Sequence, residues 1–277
     1  MRRLLAAIAA APMIITGLVV VAPAAPANAA GELVRVRLHA AVKQLPVRAE
    51  TPRGYERDKF GSGWTDADRD CRDTRAEVLR SESKRATTGR CTVRRGRWFS
   101  YYDHRTWRRA SDVDIDHLVA LKEAWDSGAK RWNRATRVRY ANDLAEGRTL
   151  IAVTDNVNQS KGARDPKTWM PRYGKCRYVR QWAAVKIRWS LKVNRGEKRA
   201  LRRLADGCGN KVIKVRKAII RRGSTGSGGG GGGGSTDPRF EYCYQAIEAG
   251  YGPYNQGQDE EYSWYTDSDS DGVVCET

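Results

Sequence analysis

Histidine is scarce in this chain, with three among 277 residues, so chemistry that rests on imidazole has few places to sit. No two of the six cysteines form a C-x-x-C pair, which argues against a thiolate zinc site. No internal repeat stands out. Beyond the first thirty residues no apolar run is long enough to span a bilayer. Acidic residues are outnumbered, 32 against 51 Lys plus Arg, leaving a formal charge of +19. That balance excludes an ordinary neutral cytosolic metabolic enzyme and points to a polyanionic partner.

What is present suffices for a packed core. Hydrophobic residues make up 40% of the chain and nine are Trp, so wholesale disorder is excluded, and the length suits one or two domains. The N-terminus reads as an export leader. Arg2 and Arg3 precede an uncharged stretch from Leu4 to Val21, and Ala27-Asn28-Ala29 fits the small-x-small cleavage rule. Pro12, the many alanines and that site favour cleavage after Ala29 over a retained anchor. A secreted protein without stable membrane insertion is expected; its oligomeric state is left open.

Export places the cysteines in an oxidising compartment, where disulfides are expected. Pairing sequence neighbours is the simplest scheme: Cys71 with Cys91, Cys176 with Cys208, and Cys243 with Cys275. Gly223 to Ser235 holds only Gly, Ser and Thr and reads as a flexible tether. It also divides the charge. From Ala30 to Arg222 the net charge is +26, and from Asp237 to Thr277 it is −9. The expected organisation is a leader at 1–29, a basic domain at 30–222, a linker at 223–236 and an acidic module at 237–277.

Within the basic domain, Asp73 to Ser83, Leu118 to Trp132, Ala183 to Leu191 and Gly196 to Leu204 read as helices. Val113 to Asp116 and Thr149 to Val153 read as strands, and Asp155 to Lys161 as a short helix halted by Pro166. The order is strand, long insertion, strand, helix. His117 follows Asp116 at the end of the first strand, so an oxygen ligand and a base arrive together where the strand opens into a loop. Asn158 offers a second oxygen ligand, Lys161 a grip on phosphate, and Asn142 side-chain hydrogen bonds that hold the His117 loop.

Asp112-x-Asp114-Ile115-Asp116-His117, Asn142-Asp143-Leu144, Asn158-Gln159-Ser160-Lys161-Gly162, Asp165-Pro166 and Trp169-x-Pro171 occur in that order. Together they resemble the secreted bacterial HNH endonuclease family related to the C-terminal domain of GmrSD-type restriction enzymes. The resemblance covers about Tyr55 to Cys208, including Trp64-Thr65-Asp66-Ala67-Asp68 and Glu123 to Ala129. It implies an α+β fold: a ββα-metal (His-Me finger) core with added helices. It also implies His117 as general base, Asp116 and Asn158 as ligands of one Mg²⁺ or Mn²⁺, and Asn142 or Asn156 as the middle asparagine. Hydrolysis of DNA, or of RNA, would leave a 5′-phosphate. No zinc finger, RNA module or base-reading helix is evident, so low sequence specificity is expected.

Two further features stand beside that core. Trp98, Tyr101 and Tyr102 among Arg94, Arg95 and Arg97 can stack on bases, although core packing is the safer reading. Asp66, Asp68 and Asp70 form a carboxylate row, with Arg69 at a loop position and no turn glycine. In the tail, Asp267-x-Asp269-x-Asp271-Gly272-x-x-Cys275-Glu276 resembles the excalibur module of extracellular bacterial proteins. It implies Ca²⁺ held by Asp267, Asp269, Asp271 and Glu276 in a small module stapled by a disulfide. The rival reading is a noncatalytic polyanion-binding or cell-envelope adhesion protein whose tail senses calcium.

Overall fold

The computed structural model describes residues 31–223, 239–248, 251, 254–256, 259–267 and 272–275. The expected leader, all of the expected linker but Gly223, and Asp269, Asp271 and Glu276, expected as calcium ligands, lie outside the described residues. The chain is mixed α and β, as expected. Strand β1 (Leu33–Arg37) leads straight into helix α1 (Leu38–Gln44) and pairs antiparallel with β6 (Val212–Arg216). Helix α2 (Thr74–Glu82) begins where the Asp73 carboxylate accepts the Ala76 N–H at 2.8 Å, a side-chain cap on an unpaired helix donor.

A hairpin of β2 (Arg95–Ser100) and β3 (Arg105–Arg109) follows. Then come β4 (Val113–His117), α3 (Leu121–Asp126), α4 (Arg134–Ala141), β5 (Leu150–Thr154) and α5 (Asp155–Lys161). Strands β4 and β5 pair antiparallel, with Asp116 opposite Ile151 and His117 opposite Leu150. β5 runs directly into α5, which packs back on both strands. The helix expected from Leu118 to Trp132 is shorter. Leu118 extends the strand ladder by donating to the Thr149 carbonyl, and Gly128, at φ +135°, ends the helical path.

Helices α6 (Lys175–Arg188) and α7 (Arg195–Asp206) complete the basic domain. The main core gathers Tyr140, Tyr178, Trp182 and Trp189 with Leu201, Ile213 and Val215. A second core joins Leu79, Trp98, Val113, Ile115, Leu150 and Ala152. Ile151 and Val153 belong to the first cluster while Leu150 and Ala152 belong to the second, so β5 is buried along its whole length between them. Buried Lys186 reaches Glu123 of α3 at 2.6 Å and Glu197 of α7 at 3.2 Å, tying three helices with one ammonium group. The three disulfides join sequence neighbours as expected.

In the tail, α8 (Cys243–Glu248) and the short pair β7 (Tyr254–Asn255) and β8 (Val273–Val274) surround a small cluster. Its buried residues are Ala246, Tyr254, Val274 and Cys275.

Candidate active site

His117 closes β4 and is 7% exposed. Its Nε2 lies 2.8 Å from the carbonyl of Ala141, the last residue of α4. A carbonyl only accepts, so Nε2 carries the proton and Nδ1 keeps the lone pair. The Trp64 indole stacks on the imidazole at 5.1 Å between centroids and 9° between planes. Asn142 is the next residue after Ala141. Its Oδ1 accepts from the Thr65 backbone N–H at 3.0 Å, and its Nδ2 donates to the Val138 carbonyl at the same distance. One asparagine therefore ties the last turn of α4, which ends in the Ala141 carbonyl that orients His117, to the loop that brings Trp64 against it. Its rival Asn156 is exposed on α5.

A cavity of about 280 Å³ opens over this histidine, lined by Arg57, Asp58, Trp64, Leu121 and Ala141 among others. Burial lowers the His117 pKa to about 3, and the positive fields of Arg57 and Lys161 act in the same direction. The ring therefore stays neutral, the form a base needs, far into acid. Arg57 is exposed at the cavity wall. It carried no signal in the sequence, being one arginine among many. Trp64 was visible only as part of a motif, because stacking across that distance in the chain is a tertiary event.

The expected role of Lys161 is corrected by its surroundings. The side chain is wholly buried, and Nζ donates to Asp116 Oδ1 at 2.7 Å and to the His117 carbonyl at 3.0 Å. An ammonium group so placed neutralises a buried carboxylate and cannot reach a phosphate in solvent. Tyr102, also fully buried, donates its hydroxyl to the other Asp116 oxygen at 2.6 Å. Both oxygens of Asp116 are thus engaged inside the protein. Burial raises the Asp116 pKa, with Lys161 opposing that rise.

Asn158 does not bond to Asp116 as the two were expected to share an ion; it pairs with the next carboxylate along β4. Its Nδ2 donates to Asp114 Oδ2 at 3.1 Å, and both side chains are half-buried. The Asp114 carboxylate and the Asn158 amide oxygen are hard donors of the kind a divalent ion takes, although here the amide meets Asp114 through its NH₂ group. The fit is therefore better at Asp114 and Asn158 than at the saturated Asp116. Trp98, Tyr101 and Tyr102 are buried, so they are core residues and not a stacking platform. The oxygens of Asp66, Asp68 and Asp70 lie within 4.8 Å of one another, but Asp70 is ion-paired with Arg72.

Residues 67–204 match the family model for the C-terminal domain of GmrSD restriction endonucleases. An uncharacterized secreted protein of Arthroderma benhamiae is 45% identical over 168 residues, 59% of this chain and 81% of the relative. The chain belongs to the GmrSD C-terminal domain family. Residues 240–276 match the Excalibur calcium-binding domain, so this GmrSD-type chain carries a second domain. No solved structure matches the chain.

The matched GmrSD-type region contains β4, β5, α5 and every residue around His117 except the 57–66 segment, which precedes the match. In the Excalibur domain, Asp267 Oδ2 accepts from the Gly272 N–H at 2.9 Å and from the Tyr262 hydroxyl at 2.8 Å. Gly272 has φ +83°, the left-handed conformation a sharp turn requires. Among the described residues, no helix is long and apolar enough to cross a membrane.

Proposed function

We propose that this protein is an extracellular endonuclease that hydrolyses phosphodiester bonds of DNA, with RNA as the second candidate substrate and little sequence preference. The observation that carries the reading is the state of His117: a neutral imidazole, tautomer set by the Ala141 carbonyl, with its lone-pair nitrogen left for a water at a cavity. His117 Nδ1 takes the proton of the attacking water, and Trp64 keeps the ring plane from turning. Arg57 is placed to meet a phosphate at the cavity wall.

Strand β4, strand β5 and helix α5 form a strand–strand–helix unit that supports a ββα-metal assignment. A divalent ion such as Mg²⁺ or Mn²⁺ would be held by Asn158 and the β4 carboxylates, with Asp114 already beside Asn158 and Asp116 reachable only if Lys161 lets go. Once bound, it would offset charge on the scissile phosphate and the leaving oxygen. The Excalibur domain would take Ca²⁺ through Asp267, Asp269, Asp271 and Glu276. The leader, the secreted relative and the Excalibur domain all favour action outside the cell. The binder without chemistry remains the second reading, favoured by the closed state of Asp116.

Incubating the purified chain with supercoiled plasmid, with and without EDTA, tests the activity. His117→Ala should retain DNA binding and lose cleavage by about 10²-fold or more. Since burial lowers the His117 pKa to about 3, this base remains deprotonated from pH 8 down through pH 5, and the rate should show no His117 titration near 6.5. A His117→Ala protein that nicks at the wild-type rate would sink the mechanism. A wild-type chain that binds but never cuts, whichever divalent ion is supplied, would leave the binder.

A further inference from the structure

The β2–β3 hairpin has two faces of opposite character. On the inner face Trp98 lies opposite Trp107; the Trp98 indole N–H donates to Leu79 of α2 and that of Trp107 to Thr154 at the end of β5, each at 2.7 Å. Because side chains alternate along a strand, the cross-strand pair Phe99 and Thr106 points to the other side; Arg108, and Arg97 in the bulge between Arg95 and Trp98, are exposed as they are. Phe99 is 44% exposed. The segment from Arg94 to Arg109 holds six arginines and a single acid, Asp103.

Arginines crowded on one ribbon repel one another, and a carboxylate nearby is the usual remedy. Here the remedy is missing. Arg105 approaches Asp103 at 4.0 Å, but Arg94, Arg95, Arg97, Arg108 and Arg109 make no ion pair among the described residues. A planar guanidinium matches a phosphate through two parallel hydrogen bonds, and an aromatic ring amid such groups offers a stacking surface. A single exposed phenylalanine means little by itself; set among unpaired arginines it has a use.

The hairpin is also tied to the candidate active site. Its turn carries Tyr102, which holds Asp116, and Asp103, which accepts from the Thr154 hydroxyl at 3.0 Å. We propose that the outer face of this hairpin is the arm that holds the substrate, a nucleic-acid strand whose phosphates lie on Arg97 and Arg108 and whose base or sugar stacks on Phe99. The inference deepens the nuclease reading and rests on it for the identity of the strand. It assigns the grip to one ribbon where net charge alone assigned it to the whole basic domain.

The test measures binding of the full chain to a short fluorescent DNA in EDTA, across a salt series. Arg97→Ser/Arg108→Ser is compared with Arg199→Ser/Arg202→Ser, which removes the same charge from the exposed side of α7. The hairpin variant should lose about tenfold or more in affinity and its log–log salt slope should fall by about 1.4 on a single strand or about 1.8 on a duplex, while the α7 variant changes by less than about twofold. Phe99→Ala should weaken single-strand binding by about tenfold. Equal losses in the two double variants, or unchanged binding by the hairpin variant, would overturn the proposal. So would a polyglycerol phosphate that competes as well as DNA at equal phosphate. The nuclease reading fails separately, when the unsubstituted chain binds DNA and never cuts it.

Discussion

An ammonium group is tolerated without water only beside a carboxylate, and Lys161 with Asp116 is such a pair. Removing one partner strands the other. Lys161→Met should therefore destabilise the protein by about 3 kcal/mol or more, lowering the melting temperature by roughly 6–12 °C, with Lys161→Met/Asp116→Leu recovering part of the loss. Scanning calorimetry of the three proteins checks this. A Lys161→Met protein that melts with the wild type and shows only a raised KM would restore the phosphate role read from the sequence. That role was a reasonable reading of Asn158-x-x-Lys161, since spacing on a helix says which residues share a face but not whether the face meets solvent. In the same way the pairing of Asn158 with Asp114 could not be read, because alternate residues of a strand point to the same side and either carboxylate was available.

Elements show a similar division. β5 pairs with β4 along one edge, and on the other edge its Ala152 N–H donates to Glu82 of α2 at 3.1 Å. Burial pushes the Glu82 pKa up to about 7 from an ordinary 4.5. The folded state thus prefers the protonated acid, so this contribution to stability is complete below pH 4.5 and is lost as pH rises through 7. Glu82→Gln keeps an acceptor without the charge. It should match the wild type near pH 4 and exceed it at pH 8.5 by of order 1 kcal/mol, read from urea unfolding at the two values. Equal pH dependence in both proteins would show that Glu82 is solvated. The helix beginning at Asp73 was legible because its pattern is local. The late start of α3 was not, because Leu118 joins a ladder to a strand some thirty residues away.

At the scale of the whole molecule, the charge changes sign across the glycine-rich stretch of the sequence, and each side has its own core, with two disulfides before the stretch and one after it. A domain as small as the Excalibur segment depends on such staples. Cutting the chain at the tether should leave the melting temperature of the basic domain and any plasmid cleavage intact. A peptide of residues 237–277 with its disulfide formed should bind Ca²⁺ at about 10⁻⁴ to 10⁻³ M by calorimetry, and Asp269→Ala should abolish that binding. Loss of cleavage on truncation, with the basic domain still folded, would show that the two domains share a site.

The sequence by itself determined what depends on short-range order: the division into basic and acidic parts and the strand that ends in Asp116-His117, while for the disulfides it offered the neighbour pairing only as the simplest of fifteen schemes. It also determined the family, through motifs held in order along the chain. Only tertiary structure decided which groups remain open to solvent. Burial between two cores closed Lys161 onto Asp116, stacked Trp64 on His117 and turned one face of the arginine hairpin outward. Desolvation and contact depend on what the rest of the chain brings alongside, and no local spacing contains that information.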